Sequence, residues 1–219
     1  MCALEVDFLC VDVAHGHHIL MKEALQQLRT KFGDNIHIMA GNVATLDAIN
    51  DLADWGANSV RCNIGGGSIC STRIQTGHGM PGLQTIIDCA KTDRNVKIIA
   101  DGGIRNSGDV VKAIAAGADA VMCGSLFAGT DESPGKIMQD KDGHRWKIYR
   151  GMASKEAQVE WRGKYSSDEG VSTTVPYRGS VEPILQDLKR GISSGLSYSG
   201  ARTIAELQTK SEFVTQTTS

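Results

Sequence analysis

Six cysteines are spread along the chain, at positions 2, 10, 62, 70, 89 and 123, and Cys70 stands out by its neighbours. It follows Gly65-Gly66-Gly67 and is flanked by Ser68, Ser71 and Thr72, with Thr76-Gly77-His78-Gly79 just beyond. Glycines let a backbone turn at positive φ and approach a ligand closely. A thiol delivered by such a bend among hydroxyls can serve as a soft nucleophile that adds to an electrophilic carbon and departs again. The plainer reading of any cysteine is a small hydrophobe, and Cys10, Cys62 and Cys123, each inside an apolar run, take it. No CxxC pair is present, which speaks for a reducing compartment and against a disulfide frame or a zinc site.

Other polar residues sit at the ends of apolar runs. Asp101-Gly102-Gly103 and Gly124-Ser125 each end a short strand-like segment, and glycines there expose backbone amides that suit a phosphate. Asp-Gly-Gly is otherwise a plain turn signal. Asp12-Val13-Ala14-His15-Gly16-His17-His18 brings a carboxylate and three imidazoles together. Zinc could use that set, but polar residues in a loop after a strand are the simpler account, and no metal is assigned.

The elements that must position these residues alternate. Apolar runs 7–13, 36–40, 59–64, 96–100 and 120–123 read as strands, and segments near 19–31, 45–55, 83–91 and 107–116 have helical spacing, with Thr45 a candidate cap. Five βα units imply an α/β fold with a parallel sheet and right-handed crossovers. The strands read as apolar throughout, as when both faces are buried. After Phe127 the alternation stops: Asp140 to His144 reads as an exposed hairpin turn, and helices over 181–194 and 203–210 close the chain around a Gly/Ser-rich link.

Composition bounds the function. Lys+Arg 23 against Asp+Glu 25 gives a net charge of −2, so there is no electrostatic case for nucleic acid. No apolar stretch reaches membrane-span length and no signal peptide is visible, so the expectation is a cytoplasmic protein with no membrane partner.

The run Gly67-Ser68-Ile69-Cys70-Ser71-Thr72-Arg73 with Thr76-Gly77-His78-Gly79 resembles the catalytic loop of the IMP dehydrogenase/GMP reductase family. The resemblance implies a (β/α)8 TIM barrel of which about five C-terminal βα units are present: Asp7–Val13 matches the fourth strand and Ala120–Cys123 the eighth. Five units cannot close a barrel, so the expectation is one partial catalytic domain over 1–219, a fragment with a flap-like insertion at about 130–178. The resemblance further implies that Cys70 attacks purine C2 and that Thr72 and Glu169 manage the proton transfers. It places the nucleotide on Ser68, Asp101, Gly103, Gly124, Ser125, Tyr149, Gly151 and Met152. It places a dinucleotide near Asp12, Ala14, Asn42, Arg61 and Gly65, Arg61 being equally readable as structural, and a monovalent cation such as K+ near Gly65, Gly67 and Cys70. Relatives are typically homotetramers.

Family dehydrogenases carry an adjacent Arg-Tyr pair in a mobile flap, whereas between Met152 and Glu169 this chain has Arg162 and Tyr165 apart. The short segment, like the ending Ser211-Glu212-Phe213, resembles the reductases. The reading is therefore GMP reductase with NADPH. The alternatives are IMP dehydrogenase with NAD and a non-catalytic purine-nucleotide binder. Two departures stand out: Asn63 replaces the family's usual Gly, and Gly66 sits where Pro or Ser is common.

Overall fold

A computed structural model describes residues 6–166 and 169–217. Its first part alternates as the apolar runs dictate: β1 (Phe8–Asp12), α1 (Ile19–Phe32), β2 (His37–Val43), α2 (Leu46–Asp54), β3 (Ser59–Cys62), α3 (Thr72–Thr76), α4 (Gly82–Cys89), β4 (Lys97–Asp101), α5 (Ser107–Ala115) and β5 (Ala120–Met122). The strands form one parallel sheet in the order β1-β2-β3-β4-β5. In register, Asp12 lies beside Gly41, Gly41 beside Arg61, and Asp101 beside Met122, so the polar strand ends converge on one edge of the fold. Thr45 caps α2 as its position suggests, its hydroxyl accepting from the Ala48 N–H at 3.3 Å.

The two faces of the sheet are unequal. Ile38, Ala40, Val60, Cys62 and Ile98 are buried against Leu25, Ile49, Leu52 and Ile86 of the helices. On the opposite face the alternation places Cys10, Asp12, Arg61 and Asp101. The expectation of apolar strands buried on both faces therefore holds for one face only. The other carries charge because Arg61 is neutralised by both aspartates. Cys10 accordingly is exposed rather than packed.

Beyond β5 the chain builds a small antiparallel sheet, β6 (Met138–Gln139), β7 (Arg145–Arg150) and β8 (Ser172–Pro176), with α6 (Lys155–Arg162) between β7 and β8. The Asp140–His144 turn joins β6 to β7, the Asp140 carboxylate accepting from the N–H groups of Asp142 and His144. Two helices follow, α7 (Glu182–Tyr198) and α8 (Ile204–Lys210). Of the Gly/Ser stretch expected to link them, residues 195–198 continue α7 and only 199–203 form the link. Gly191 and Gly195, one turn apart, lie against α5, where a β-carbon would stand 1.9 Å from Ser107 Oγ and 2.6 Å from a Val111 methyl. Small residues at that spacing let two helices approach closely, and tertiary packing overrides glycine's poor helix propensity. Among the described residues no helix is long and apolar enough to cross a membrane.

Candidate active site

The site assembles from three chain segments tied by backbone hydrogen bonds. The glycine bend after β3 leads to Cys70, whose N–H donates to Gly67 O at 3.1 Å. Residues 69–71 then pair with residues 169–171: Ser71 N–H donates to Glu169 O at 3.0 Å, and Val171 N–H to Ile69 O at 2.9 Å. The same short segment accepts the 151–154 turn, through Gly151 N–H to Val171 O at 3.1 Å and a parallel bridge between Ser154 and Gly170. Gly170 is required at this junction, since a β-carbon there would lie 2.6 Å from Ser154 N. A residue 99 positions downstream of Cys70 is thus held at the thiol by main-chain pairing, independent of any side chain.

At the centre Cys70 Sγ lies 3.2 Å from Thr72 Oγ1, and Thr72 Oγ1 donates to Glu169 Oε2 at 2.9 Å. Thr72 is buried in the first turn of α3, so its hydroxyl cannot exchange this partner freely with solvent. The result is a thiol, a hydroxyl and a carboxylate in line, a chain along which a proton can be passed. The residues expected to flank the nucleotide gather nearby. Gly102 and Gly103 take φ of 81° and 76°, and a β-carbon on Gly102 would meet Gly66 C and Gly67 N at 3.1 Å. The Cys70 loop and the Asp101 loop therefore pack backbone to backbone. Tyr149, from β7, points its hydroxyl at Gly124, 2.9 Å from where a β-carbon would be. Met152 is 70% exposed, an apolar side chain presented at the open side of the 151–154 turn. Ser68 and Gly103 are also exposed, whereas Ser125 is half-buried.

The residues expected to hold a dinucleotide are not one cluster. Asp12 and Ala14 are exposed after β1. Asn42 and Arg61 turn to Asp101, whose Oδ2 accepts from Asn42 Nδ2 at 2.7 Å and from Arg61 Nε and Nη2 at 2.9 and 2.7 Å. Arg61 also pairs with Asp12 at 2.7 Å. Burial alone would lower the Arg61 pKa, but the charges of Asp101 and Asp12 outweigh it and hold the guanidinium above its ordinary value. This network joins the nucleotide and dinucleotide positions, and the residue types alone did not announce it. A signal was available: an Arg inside a short buried strand, in a chain with two other strands that end in Asp, needs an internal partner. Gly65 (φ 75°) lies against the Arg73 side chain. Of the three histidines near β1, His17 bonds Asp51 at 2.8 Å and His18 caps α1 through Nδ1. The Asp140, Asp142 and His144 ligand atoms lie within 4.8 Å of one another, all exposed in the β6–β7 turn.

Comparison with known proteins identifies the family. The model of the IMP dehydrogenase / GMP reductase domain matches residues 1–219. An inosine-5'-monophosphate dehydrogenase from Nitrosopumilus maritimus is 44% identical over 95% of this chain and 46% of its own length. A GMP reductase from Leishmania major is 43% identical over 95% of this chain and 45% of its own. Among solved structures, a GMP reductase variant from Trypanosoma brucei in complex with guanosine 5'-monophosphate superposes with a TM-score of 0.89 at 43% identity, covering 96% of this chain and 45% of that one. An inosine 5' monophosphate dehydrogenase from Legionella pneumophila gives 0.84 at 48% identity, covering 96% and 65%. The chain spans about half the length of the curated relatives it matches. The parallel sheet is that of an α/β TIM-barrel fold, and the chain belongs to the IMP dehydrogenase/GMP reductase family of oxidoreductases.

Proposed function

We propose that the site carries out GMP reductase chemistry, the reductive deamination of GMP to IMP and ammonia. The observation that carries the proposal is the relay Cys70–Thr72–Glu169, with its contacts of 3.2 and 2.9 Å. Cys70 Sγ adds to C2 of the guanine base, and the 2-amino group leaves as ammonia. The proton it needs arrives through Thr72 Oγ1 from the Glu169 side, leaving the purine bonded to sulfur as a thioimidate. A reduced nicotinamide, when bound, supplies hydride for C2. The C–S bond then breaks, IMP departs, and the thiolate of Cys70 is restored. Asp101 accepts from the ribose hydroxyls, with Oδ2 already fixed by Asn42 and Arg61. The amides of Gly103 and Gly124 and the hydroxyls of Ser68, Ser125 and Tyr149 hold the 5'-phosphate, while Gly151 and Met152 border the base.

The cofactor positions fit a dinucleotide in part. The Asp12 side chain is 52% exposed despite its bond to Arg61, so it can accept from a ribose hydroxyl beside Ala14. Asn42 and Arg61 support it from behind through Asp101, and the assignment to the cofactor is NADPH. Gly67 O already accepts from Cys70 N–H and Arg73 fills the space beside Gly65, so a monovalent cation near Gly65, Gly67 and Cys70 would share the first carbonyl and displace the arginine.

Reduction is favoured over the dehydrogenase reaction by the 153–166 segment. Hydrolysis of a sulfur-bound purine needs a base for water, and the adjacent Arg-Tyr pair that would serve is missing. Arg162 instead lies over the Trp161 ring and Lys155 over the Tyr165 ring, each engaged within its own segment. The second reading, IMP dehydrogenase, keeps standing on relatives of equal similarity. An absorbance assay separates them. GMP-dependent loss of NADPH is the expected result; IMP-dependent formation of NADH in its place overturns the proposal.

A further inference from the structure

Asn63 and Gly66 depart from their family's usual residues, and the structure ties the two departures together. Asn63 is the described non-glycine residue with positive φ, at 131°, a conformation that side chains strongly disfavour. It is nonetheless buried, 4% exposed, and its amide is bonded through both nitrogen and oxygen. Nδ2 donates to Asp101 O at 2.9 Å, and Oδ1 accepts from Arg73 Nη2 at 3.3 Å. Arg73 in turn donates through Nε to Ile64 O at 3.2 Å and through Nη2 to Met80 O. One side chain thus clamps both ends of the loop that carries Cys70, and Asn63 fastens that clamp to the strand end bearing Asp101. The Asn63 amide occupies the space beside Gly66: a β-carbon there would come within 1.8 Å of Nδ2 and 2.6 Å of Cγ. A β-carbon on Gly82 would likewise lie 3.0 Å from the same Nδ2.

We infer that Asn63 is a positioning residue for the Cys70 loop, acting through Arg73, and that Gly66 is its obligatory counterpart, so that the two positions exchange only as a pair. The inference rests on Cys70 being the nucleophile for its catalytic consequence, but not for the pairing itself. A side chain at 66 must evict the Asn63 amide, breaking its bonds to Asp101 and Arg73 and freeing the loop. A glycine at 63 keeps the backbone, which it adopts without strain, and vacates the space that a residue at 66 needs.

Four proteins test this: wild type, Asn63→Gly, Gly66→Ser and the double variant. Two quantities are measured on each, the thermal midpoint and the rate of Cys70 alkylation by iodoacetamide, read by peptide mass spectrometry with and without GMP. Gly66→Ser is expected to lower the midpoint and to change the Cys70 rate by about tenfold, with GMP protection lost, and Asn63→Gly in the same background to recover most of both. A Gly66→Ser effect that is equal in the two backgrounds overturns the pairing. Recovery of the midpoint with no change anywhere in Cys70 reactivity or GMP protection overturns the positioning role. Arg73→Lys and Arg73→Met give the last readout: the lysine variant retains part of the Cys70 rate and the methionine variant does not, and equal rates in both and in wild type overturn the clamp. Failure of the GMP reductase reading looks different, since a wild-type Cys70 that GMP does not protect leaves the midpoint cycle intact.

Discussion

Thr72 Oγ1 donates to Glu169 Oε2 at 2.9 Å, joining two residues 97 positions apart. The bond orients the threonine's remaining lone pairs toward Cys70 Sγ at 3.2 Å. If the pair moves protons around the departing ammonia, Glu169→Gln keeps the shape and removes the exchangeable charge. Turnover should then fall by about 10²–10⁴-fold while Cys70 remains open to alkylation and GMP still protects it. Thr72→Val should act alike, and the double variant should lose little more than either single one, because two members of one relay are not additive. Steady-state kinetics on the four proteins checks this, and fully additive losses argue that the two residues act separately.

Tyr149 and Gly124 offer a steric test of the proposed phosphate site. A β-carbon at 124 would sit 2.9 Å from the tyrosine hydroxyl and 3.9 Å from its ring carbon. Gly124→Ala is therefore expected to push the phenol away and raise KM for the nucleotide by roughly tenfold, with a smaller effect on kcat. Adding Tyr149→Phe removes the obstructing oxygen and should relieve the clash without restoring the lost hydrogen bond. The double variant should regain thermal stability but not affinity.

The alternation of apolar runs with helical spacing placed all of β1 to β5 because each strand turns Ile, Val, Leu, Ala or Cys toward the core, and that signal is local. Cys70 drew notice because hydroxyls and glycines around a thiol are unlike a core, and the fold sets it beside Thr72. The partner network of Arg61 was not, since Asp12 lies 49 and Asp101 40 positions away in sequence (Arg61 Nη1 to Asp12 at 2.7 Å, Nη2 to Asp101 at 2.7 Å) and no periodicity encodes a cross-strand ion pair. Nor was α6, where Ser154 caps through Ala157 N–H and the helix is short and polar. Residues 195–198 looked like the start of a link because propensity cannot see α5 pressed against Gly195. Long-range packing decided each of these.

Asp109 predicts a pH dependence. Burial alone would raise its pKa, but the Arg105 N–H at 3.0 Å and Lys112 Nζ at 3.2 Å outweigh that and hold it below its ordinary value of 3.8. A carboxylate with a depressed folded pKa stabilises the fold above its unfolded value, and the contribution is lost as pH falls through the folded one. Asp109→Asn should therefore cost stability at pH 7, on the order of 1 kcal/mol or less for a pair of this kind. The cost should shrink as the pH is lowered below 3.8 toward about 2. Urea unfolding at the two pH values measures the difference, and a penalty that does not change with pH shows that shape, not charge, matters at this position.

Lys147 is a buried cation with no carboxylate in its described contacts: it is 3% exposed, and Nζ donates to Thr130 O at 2.7 Å, Ser133 O at 2.8 Å and Asp131 O at 3.4 Å. Three carbonyls turned inward form a cage whose dipoles replace the ion's hydration, and the ammonium in exchange pins β7 to the chain leaving β5. Tyr149 lies two residues along the same strand, on the same face, so the pin also sets where its hydroxyl meets Gly124. Lys147→Met preserves much of the stem's packing but leaves buried carbonyls without a donor, which typically costs about 1–3 kcal/mol. The variant should melt earlier and bind GMP more weakly, while the Cys70–Thr72–Glu169 relay, tied by its own backbone pairing, still supports alkylation of Cys70 at the wild-type rate. Loss of stability without loss of GMP affinity would mean that Tyr149 finds its place by another route.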